Sequence, residues 1–418
     1  MRIAQIAPLH ERVPPRLYGG TERVVSFLTE ELVRQGHDVT LFASGDSQTS
    51  AKLVRCCEMA LRLNPAVQDA LPYHMIMLDE VRRRIDEFDI LHFHIDVLHA
   101  PLVRDVAERT LTTLHGRVDL LDLAPFYATF RELPLVSISL SQQEYLSDVN
   151  WLGTVHHGLP RDLLPFSPNA DGYLAFLGRI APEKRPNAAI DIAVRSGMPL
   201  KIAAKVDRTD QAYWEEKIRP MVEAAPDVEF IGEIGDRDKA SFLGGAAALL
   251  FPIDWPEPFG LVMIEAMACG TPVIAYCHGS VREIIQDNVS GFVVDTIEEA
   301  VDAVRRVASL NRATVRTEFE RRFTAERMAC DYVGIYQELF SARTRSVQVA
   351  MSNGRHEASQ GGKPSRRGVD RIERDLHAGR HIATRVFQTE AIPSAGTRRT
   401  PASESAAQPV ARQPLGLE

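Results

Sequence analysis

The stretch MRIAQIAPLHERVPPRLYGGTERVVSFLTEELVRQGHDVTLFA, from Met1 to Ala43, decides the fold. Ile3 to Ala7 reads as a short buried strand. Gly19-Gly20-Thr21 then opens an amphipathic stretch in which Val24, Val25, Leu28 and Leu32 recur at helical spacing, and Gly36 ends it. Asp38 to Ala43 resumes the strand pattern. Strand, helix, strand in that order is a β-α-β unit, whose strands run parallel because the helix carries the chain back.

Outward from that unit the pattern repeats. Further strands are expected at Ile90 to Phe93, Thr110 to Leu114, Leu135 to Leu140 and Thr154 to His156. Pro165-Phe166-Ser167-Pro168-Asn169-Ala170-Asp171-Gly172 breaks both helix and strand, which places a domain boundary there. A second series follows, with strands expected near Tyr173 to Leu177, Lys201 to Ala204, Val228 to Ile231, Ala248 to Phe251, Val273 to Ala275 and Phe292 to Val294. From about Ile297 to Phe340 the pattern is helical. The expected organisation is therefore an N-terminal Rossmann-like domain over 1–165, a second over 173–324, a helix over 325–345, and a disordered tail over 346–418. The tail carries ten Arg and one Lys against seven acids, a net of +4, which leaves −12 of the chain's −8 to the rest. Within it, Val369 to Phe387 could form a helix that docks a partner.

Composition narrows the class. At 418 residues, 45% hydrophobic and 25% charged, the chain suits two or three soluble domains at about 150 residues each. No stretch has the roughly 18 consecutive apolar residues that a membrane span needs. Met1 leads into a strand-like run and not a signal-peptide core, so a cytoplasmic location is expected. Cys56, Cys57, Cys269, Cys277 and Cys330 form no CxxC pair, and a net charge of −8 argues against a nucleic-acid binder.

The chemistry concentrates in Glu257-Pro-Phe-Gly-Leu-Val-Met-Ile-Glu265. Pro258 suits a helix start, which would leave the N–H groups of Phe259, Gly260 and Leu261 free at a partially positive N-terminus. Gly260 lets an anion approach them. Eight residues of helix rise about 12 Å, beyond the roughly 5 to 9.5 Å of a glycosidase carboxyl pair, so the two glutamates read as separate hydroxyl anchors. Glu265 sits among Val262, Met263, Ile264, Ala266 and Met267, where a charge is costly unless bound or paired. Arg179 and Lys184, in Gly178-Arg-Ile-Ala-Pro-Glu-Lys184 directly after an expected strand, can neutralise a diphosphate at the carboxyl edge of the sheet. A nucleotide sugar, with hydroxyls at both ends and a diphosphate between, fits this set.

These motifs, with Ala-Cys-Gly-Thr-Pro-Val-Ile-Ala at 268–275 and Ser290-Gly-Phe-Val-Val294, resemble the family-four retaining glycosyltransferases of GT-B fold. The resemblance covers roughly residues 1–340 and is strongest from Gly178 to Val294. It implies two Rossmann-like domains facing across a cleft, with the final helix crossing back to the first. It implies that Glu257 holds the donor sugar, Glu265 the ribose, Arg179 and Lys184 the diphosphate, and that Gly19 and Gly20 lie under the phosphates and acceptor. Phe259, Gly260 and Leu261 complete the donor site, and His115 matches the active-site histidine beside the sugar. Where relatives often read Asn-Gly-Val-Asp, this chain has His157-Gly158-Leu159-Pro160.

The implied reaction moves a hexose, UDP-sugar favoured, to an acceptor hydroxyl with retention and no metal or other cofactor. The acceptor could be a carbohydrate, a lipid-linked sugar or a small molecule, and a lipid-linked one would bring peripheral membrane contact. Two readings compete with it: a nucleotide-sugar epimerase or hydrolase, and a non-catalytic sugar-nucleotide-binding scaffold. His92-Phe93-His94 lacks a third ligand, so a metal site is not expected there. Asp236-Arg237-Asp238 is formally a DxD, but it precedes a helical run and reads as a helix N-cap.

Overall fold

Ile3, Ala4, Gln5 and Ile6 are all fully buried, as in a strand covered on both faces. In the computed structural model, which describes residues 1–16 and 19–359, this strand is β1 (Arg2–Ile6). With β2 (Asp38–Ser44), β3 (Lys52–Cys57), β4 (Ile90–Phe93), β5 (Thr110–Thr113), β6 (Leu135–Ser137) and β7 (Trp151–Thr154) it forms a seven-stranded sheet in the order β3-β2-β1-β4-β5-β6-β7. Every pairing is parallel. The second sheet has six strands: β8 (Tyr173–Arg179), β9 (Leu200–Lys205), β10 (Val228–Gly232), β11 (Ala246–Phe251), β12 (Val273–Tyr276) and β13 (Gly291–Val294), in the order β10-β9-β8-β11-β12-β13. These pairings are parallel too.

Most expected strands lie within two residues of their observed bounds, β8 running on through Arg179, and three strands differ by more. β3 was not anticipated: it lies at the sheet edge, is only partly buried, and carries Lys52 and Arg55 where an inner strand would be apolar. β6 stops at Ser137 because Ser139 caps the next helix, its side chain accepting from the Gln142 N–H at 3.1 Å. β7 begins earlier, at Trp151, and leaves His156 and His157 beyond its end.

Seven helices bear on the site: α1 (Gly20–Arg34), α2 (Leu140–Gln143), α3 (Asp236–Gly244), α4 (Leu261–Ala268), α5 (Ile297–Arg306), α6 (Arg312–Arg322) and α7 (Ala325–Ser359). The helical region after Ile297 is thus three helices, the first opened by a capping box of Thr296 and Glu299. α7 buries Met328, Ala329, Tyr332 and Tyr336 against Ile3, Val24, Leu28, Leu32 and Ile90 of the N-terminal half. Burying each of the larger side chains contributes about 1.5–3 kcal/mol, enough to hold the helix on that half. It runs to Ser359, past the expected start of the tail at 346. Residues 360–418, with Val369 to Phe387, lie outside the described residues. Met1–Arg343, containing both sheets, is one compact unit. Among the described residues, no helix is long and apolar enough to cross a membrane.

Candidate functional site

In each sheet the strand order reverses beside the first strand, between β1 and β4 and between β8 and β11. Ligands of open parallel sheets bind beyond the carboxyl ends of strands at such a switch point. The singled-out residues follow these strands: Gly19 and Gly20 come after β1, His115 after β5, Arg179 at the end of β8, Lys184 just beyond it, and Glu257 after β11. The two edges meet, since a Cβ on Gly20 would lie 3.6 Å from the Leu261 side chain. Gly19 has no room for a side chain, because a Cβ there would lie 2.8 Å from Pro15 Cβ.

The C-terminal wall carries the charges. Lys184 Nζ bonds Glu257 Oε2, and the Trp255 indole N–H donates to the same oxygen at 3.0 Å. The Lys184 ammonium also lies 4.6 Å from the centre of the Trp255 ring. Loop backbone beyond β12 clamps this segment: Ser280 N–H donates to Glu257 O at 3.0 Å, and Ser280 Oγ donates to Phe259 O at 2.9 Å. Glu265, 4% exposed, takes Lys239 Nζ at 2.7 Å, so its buried charge is paired. Arg179 faces Glu183 at 2.8 Å, Asp210 at 3.6 Å and Asp207 at 3.8 Å.

Two expectations about this wall are corrected. The helix begins at Leu261, with Gly260 as N-cap, so Pro258 does not start it and Glu257, Pro258 and Phe259 lie outside. Of the three amides expected at the helix end, only that of Leu261 belongs to the helix, and a continuous helical rise does not describe the Glu257–Glu265 separation. The cause is Gly260, whose φ of 78° turns the chain into the helix where a Cβ would lie 2.7 Å from Met263 Cε. The second correction concerns Asp236-Arg237-Asp238. Gly235 is the N-cap of α3, and both aspartates sit in its first turn, where negative charge meets the positive end of the helix. Asp236 also pairs with Arg23 of α1, joining the two halves.

The histidine cluster of the N-terminal wall is neutral. His115 Nε2 lies 2.8 Å from His94 Nδ1. Its ring stacks on His157 at 5.2 Å, and His157 lies 4.8 Å from Phe259. Burial pushes His115 down to about 3, and His94 and His157 well below the ordinary histidine value. His92 bonds Tyr336 and Thr113, one through each ring nitrogen, at 2.7 Å. Asp96, beside this cluster, is pushed up to about 6 by burial, against the His115 backbone N–H that bonds it. A groove of about 730 Å³ opens between the halves, lined by Leu140, Tyr145, Trp255, His278, Arg282 and Glu283.

Sequence reasoning missed Trp255, Lys239, Asp96 and the part His157 plays. Trp255 stands two residues before Glu257 and could have been found by asking what covers that carboxylate. Lys239 is far from Glu265 in sequence, and the spacing gave no sign of the pairing.

Two family models match the chain: Glycosyltransferase Family 4 over residues 18–176 and Glycosyl transferases group 1 over residues 165–324. With its paired parallel sheets, the chain belongs to the family-four glycosyltransferases, of GT-B fold. It is 26% identical over 390 residues to a phosphatidyl-myo-inositol mannosyltransferase of Mycobacterium leprae, covering 84% of this chain and 100% of that one. It is 24% identical to the O-antigen chain mannosyltransferase C of Escherichia coli, over 79% and 97% of the two chains. Among solved structures it resembles sucrose-phosphate synthase from Thermosynechococcus elongatus, with a TM-score of 0.68 and 18% identity over 82% of this chain and 100% of that one. It also resembles the Anabaena protein HepE in complex with UDP and glucose, with a TM-score of 0.63 and 17% identity over 81% and 100%.

Proposed function

We propose that this glycosyltransferase moves a hexose from a nucleoside diphosphate sugar, UDP-sugar favoured, to an acceptor hydroxyl with retention of configuration and without a metal ion. The observation that carries the reading is the Lys184–Glu257 pair under Trp255, at the carboxyl edge of the second sheet. An arriving diphosphate brings its own negative charge to Lys184, and Glu257 is then released to accept from sugar hydroxyls.

Stabilising the departing diphosphate is the main catalytic demand. Arg179, Lys184 and the first amides of α4 supply positive charge for it, with Gly19 and Gly20 beneath. Glu265 accepts from the ribose. His115 is neutral near pH 7, so it serves the sugar as a hydrogen-bond partner and not as a proton donor. No side-chain nucleophile is assigned, and the acceptor returns on the face the diphosphate leaves.

The names of the mannosyltransferase relatives support a hexose, and the neighbour bound to UDP and glucose supports the choice of base. The same names favour an inositol-containing lipid or a polysaccharide chain as acceptor. The test is a thermal-shift screen against UDP-, GDP- and ADP-sugars, each with magnesium and with a chelator, followed by the product's anomeric configuration from NMR. A shift by one donor class that survives chelation, and a product of the donor's own configuration, are expected. No shift from any donor, or an inverted product, would overturn the proposal.

A further inference from the structure

His115 is the last member of a hydrogen-bonded series that starts on α7. Tyr332 OH lies 2.9 Å from Thr113 Oγ1, which lies 2.7 Å from His92 Nε2. His92 Nδ1 lies 2.7 Å from Tyr336 OH, to which the Gln5 amide donates at 3.2 Å. The Gln5 carbonyl oxygen is 2.7 Å from His94 Nε2, and His94 Nδ1 is 2.8 Å from His115 Nε2. Every member before His115 is at most 2% exposed.

A neutral imidazole has one N–H and one lone pair, so each bond in such a series orients the next. The Gln5 oxygen can only accept, and His94 Nε2 therefore carries the hydrogen. His94 Nδ1 is then a lone pair, and His115 Nε2 must donate to it. His115 Nδ1 is left as a lone pair, buried and without a hydrogen-bond partner among the described residues. Turning the Gln5 amide over would reverse every bond and leave a buried N–H at His115 Nδ1, the costlier of the two orphans. Gln5 is where the choice of tautomer is made.

We propose that Gln5 and Tyr336 are positioning residues that hold His115 in its Nε2–H tautomer, so that Nδ1, covered in the ligand-free chain, is an acceptor for a hydroxyl of the donor sugar once the cleft takes the donor. The tautomer stands on the hydrogen-bond series alone; the sugar contact rests on the reading of the cleft as a donor site. A specificity follows. A donor with fluorine in place of that hydroxyl can accept but not donate, and is refused as strongly as the deoxy sugar.

The experiment uses the full chain with ¹⁵N-labelled histidine, in the absence of ligand, and long-range ¹H–¹⁵N correlation to read each ring; His115→Gln assigns the resonance. A pyridine-type Nδ1 and a pyrrole-type Nε2 are expected for His115. Gln5→Met should mix the two tautomers and lower kcat about tenfold, the loss of one hydrogen bond. Gln5→Glu, whose protonated carboxyl can accept from His94 and donate to Tyr336, should restore both. A protonated Nδ1 in the unaltered chain overturns the proposal whether or not any variant folds. The expected spectrum, with fluoro and deoxy donors used as well as the parent sugar, overturns the sugar contact while leaving the tautomer standing.

Discussion

Glu257 and Glu265, on the C-terminal wall of the cleft, each meet a lysine, whereas His94, His115 and His157, on the N-terminal wall, meet one another. The first wall is charged and its charges are neutralised in pairs. The second is neutral, and its burial keeps it so. Each material suits a different demand. Paired charges can exchange partners when an anion arrives, and gain from a site that excludes water. Neutral rings in a hydrogen-bonded series cannot balance a diphosphate, but they present a donor or an acceptor in a fixed direction at no cost in charge burial.

The comparison breaks most decisively at Lys184. Lys184→Ala should lower transfer about a thousandfold, the scale of a lost transition-state donor. It should also lower Tm, because Glu257, 8% exposed, is left with a tryptophan N–H and no cation. Transfer within threefold of the unaltered chain would remove the charged wall from the mechanism.

Next in size is Gly260→Ala. A side chain at φ 78°, with a Cβ 2.7 Å from Met263 Cε and 3.2 Å from Phe251, should cost about 1–3 kcal/mol. It should weaken donor binding as the start of α4 shifts. The checks are Tm and a donor titration, and unchanged values in both would show that the left-handed turn does not set the helix start.

Much of this was legible in the sequence. β4 was placed residue for residue, because Ile90, Leu91 and Phe93 of a strand buried on both faces stand out as an apolar run that only His92 interrupts. Glu257, Lys184 and Arg179 stood out because their spacing from strand ends is local information. What was not legible depends on backbone geometry or on distant contacts. Gly260 turns the chain two residues after the proline that seemed to start the helix. Lys239 reaches Glu265 from another helix, and the series from Tyr332 to His115 is assembled from four separate strands and helices.

The neutral wall makes a prediction about pH. His92, His94, His115 and His157, with His99, which stacks on Phe93 behind them, are all held below their unfolded value by burial, His99 and His115 to about 3. Between about pH 6.5 and 3 the unfolded chain therefore binds more protons than the folded one at these positions, so stability falls as pH drops through that window. Asp96, raised to about 6, acts in the opposite sense, losing stability as pH rises toward 6, but it is one group against five. Tm should fall between pH 7 and 5.5, and His99→Gln, away from the series, should flatten the slope. A Tm that rises on acidification would mean the wall is not neutral.

The smallest effect is expected where the two walls are tied together. Arg23 of α1 pairs with Asp236 of α3, whose other cationic neighbour is Lys239 at 3.7 Å, the residue that holds Glu265. Asp236 is 39% exposed, so water screens the pair and its loss should cost no more than about 1 kcal/mol. Asp236→Asn should thus move Tm by a few degrees at most. Its second consequence sharpens the comparison: Lys239 loses one of two carboxylates and stays wholly with Glu265, so donor affinity should change by less than about threefold. Arg23→Ala should cost more, because it removes the same pair and also the packing of a side chain only 5% exposed. A loss of donor binding in Asp236→Asn as large as that in Gly260→Ala would mean that the tie across the halves, and not the charged wall by itself, sets the site.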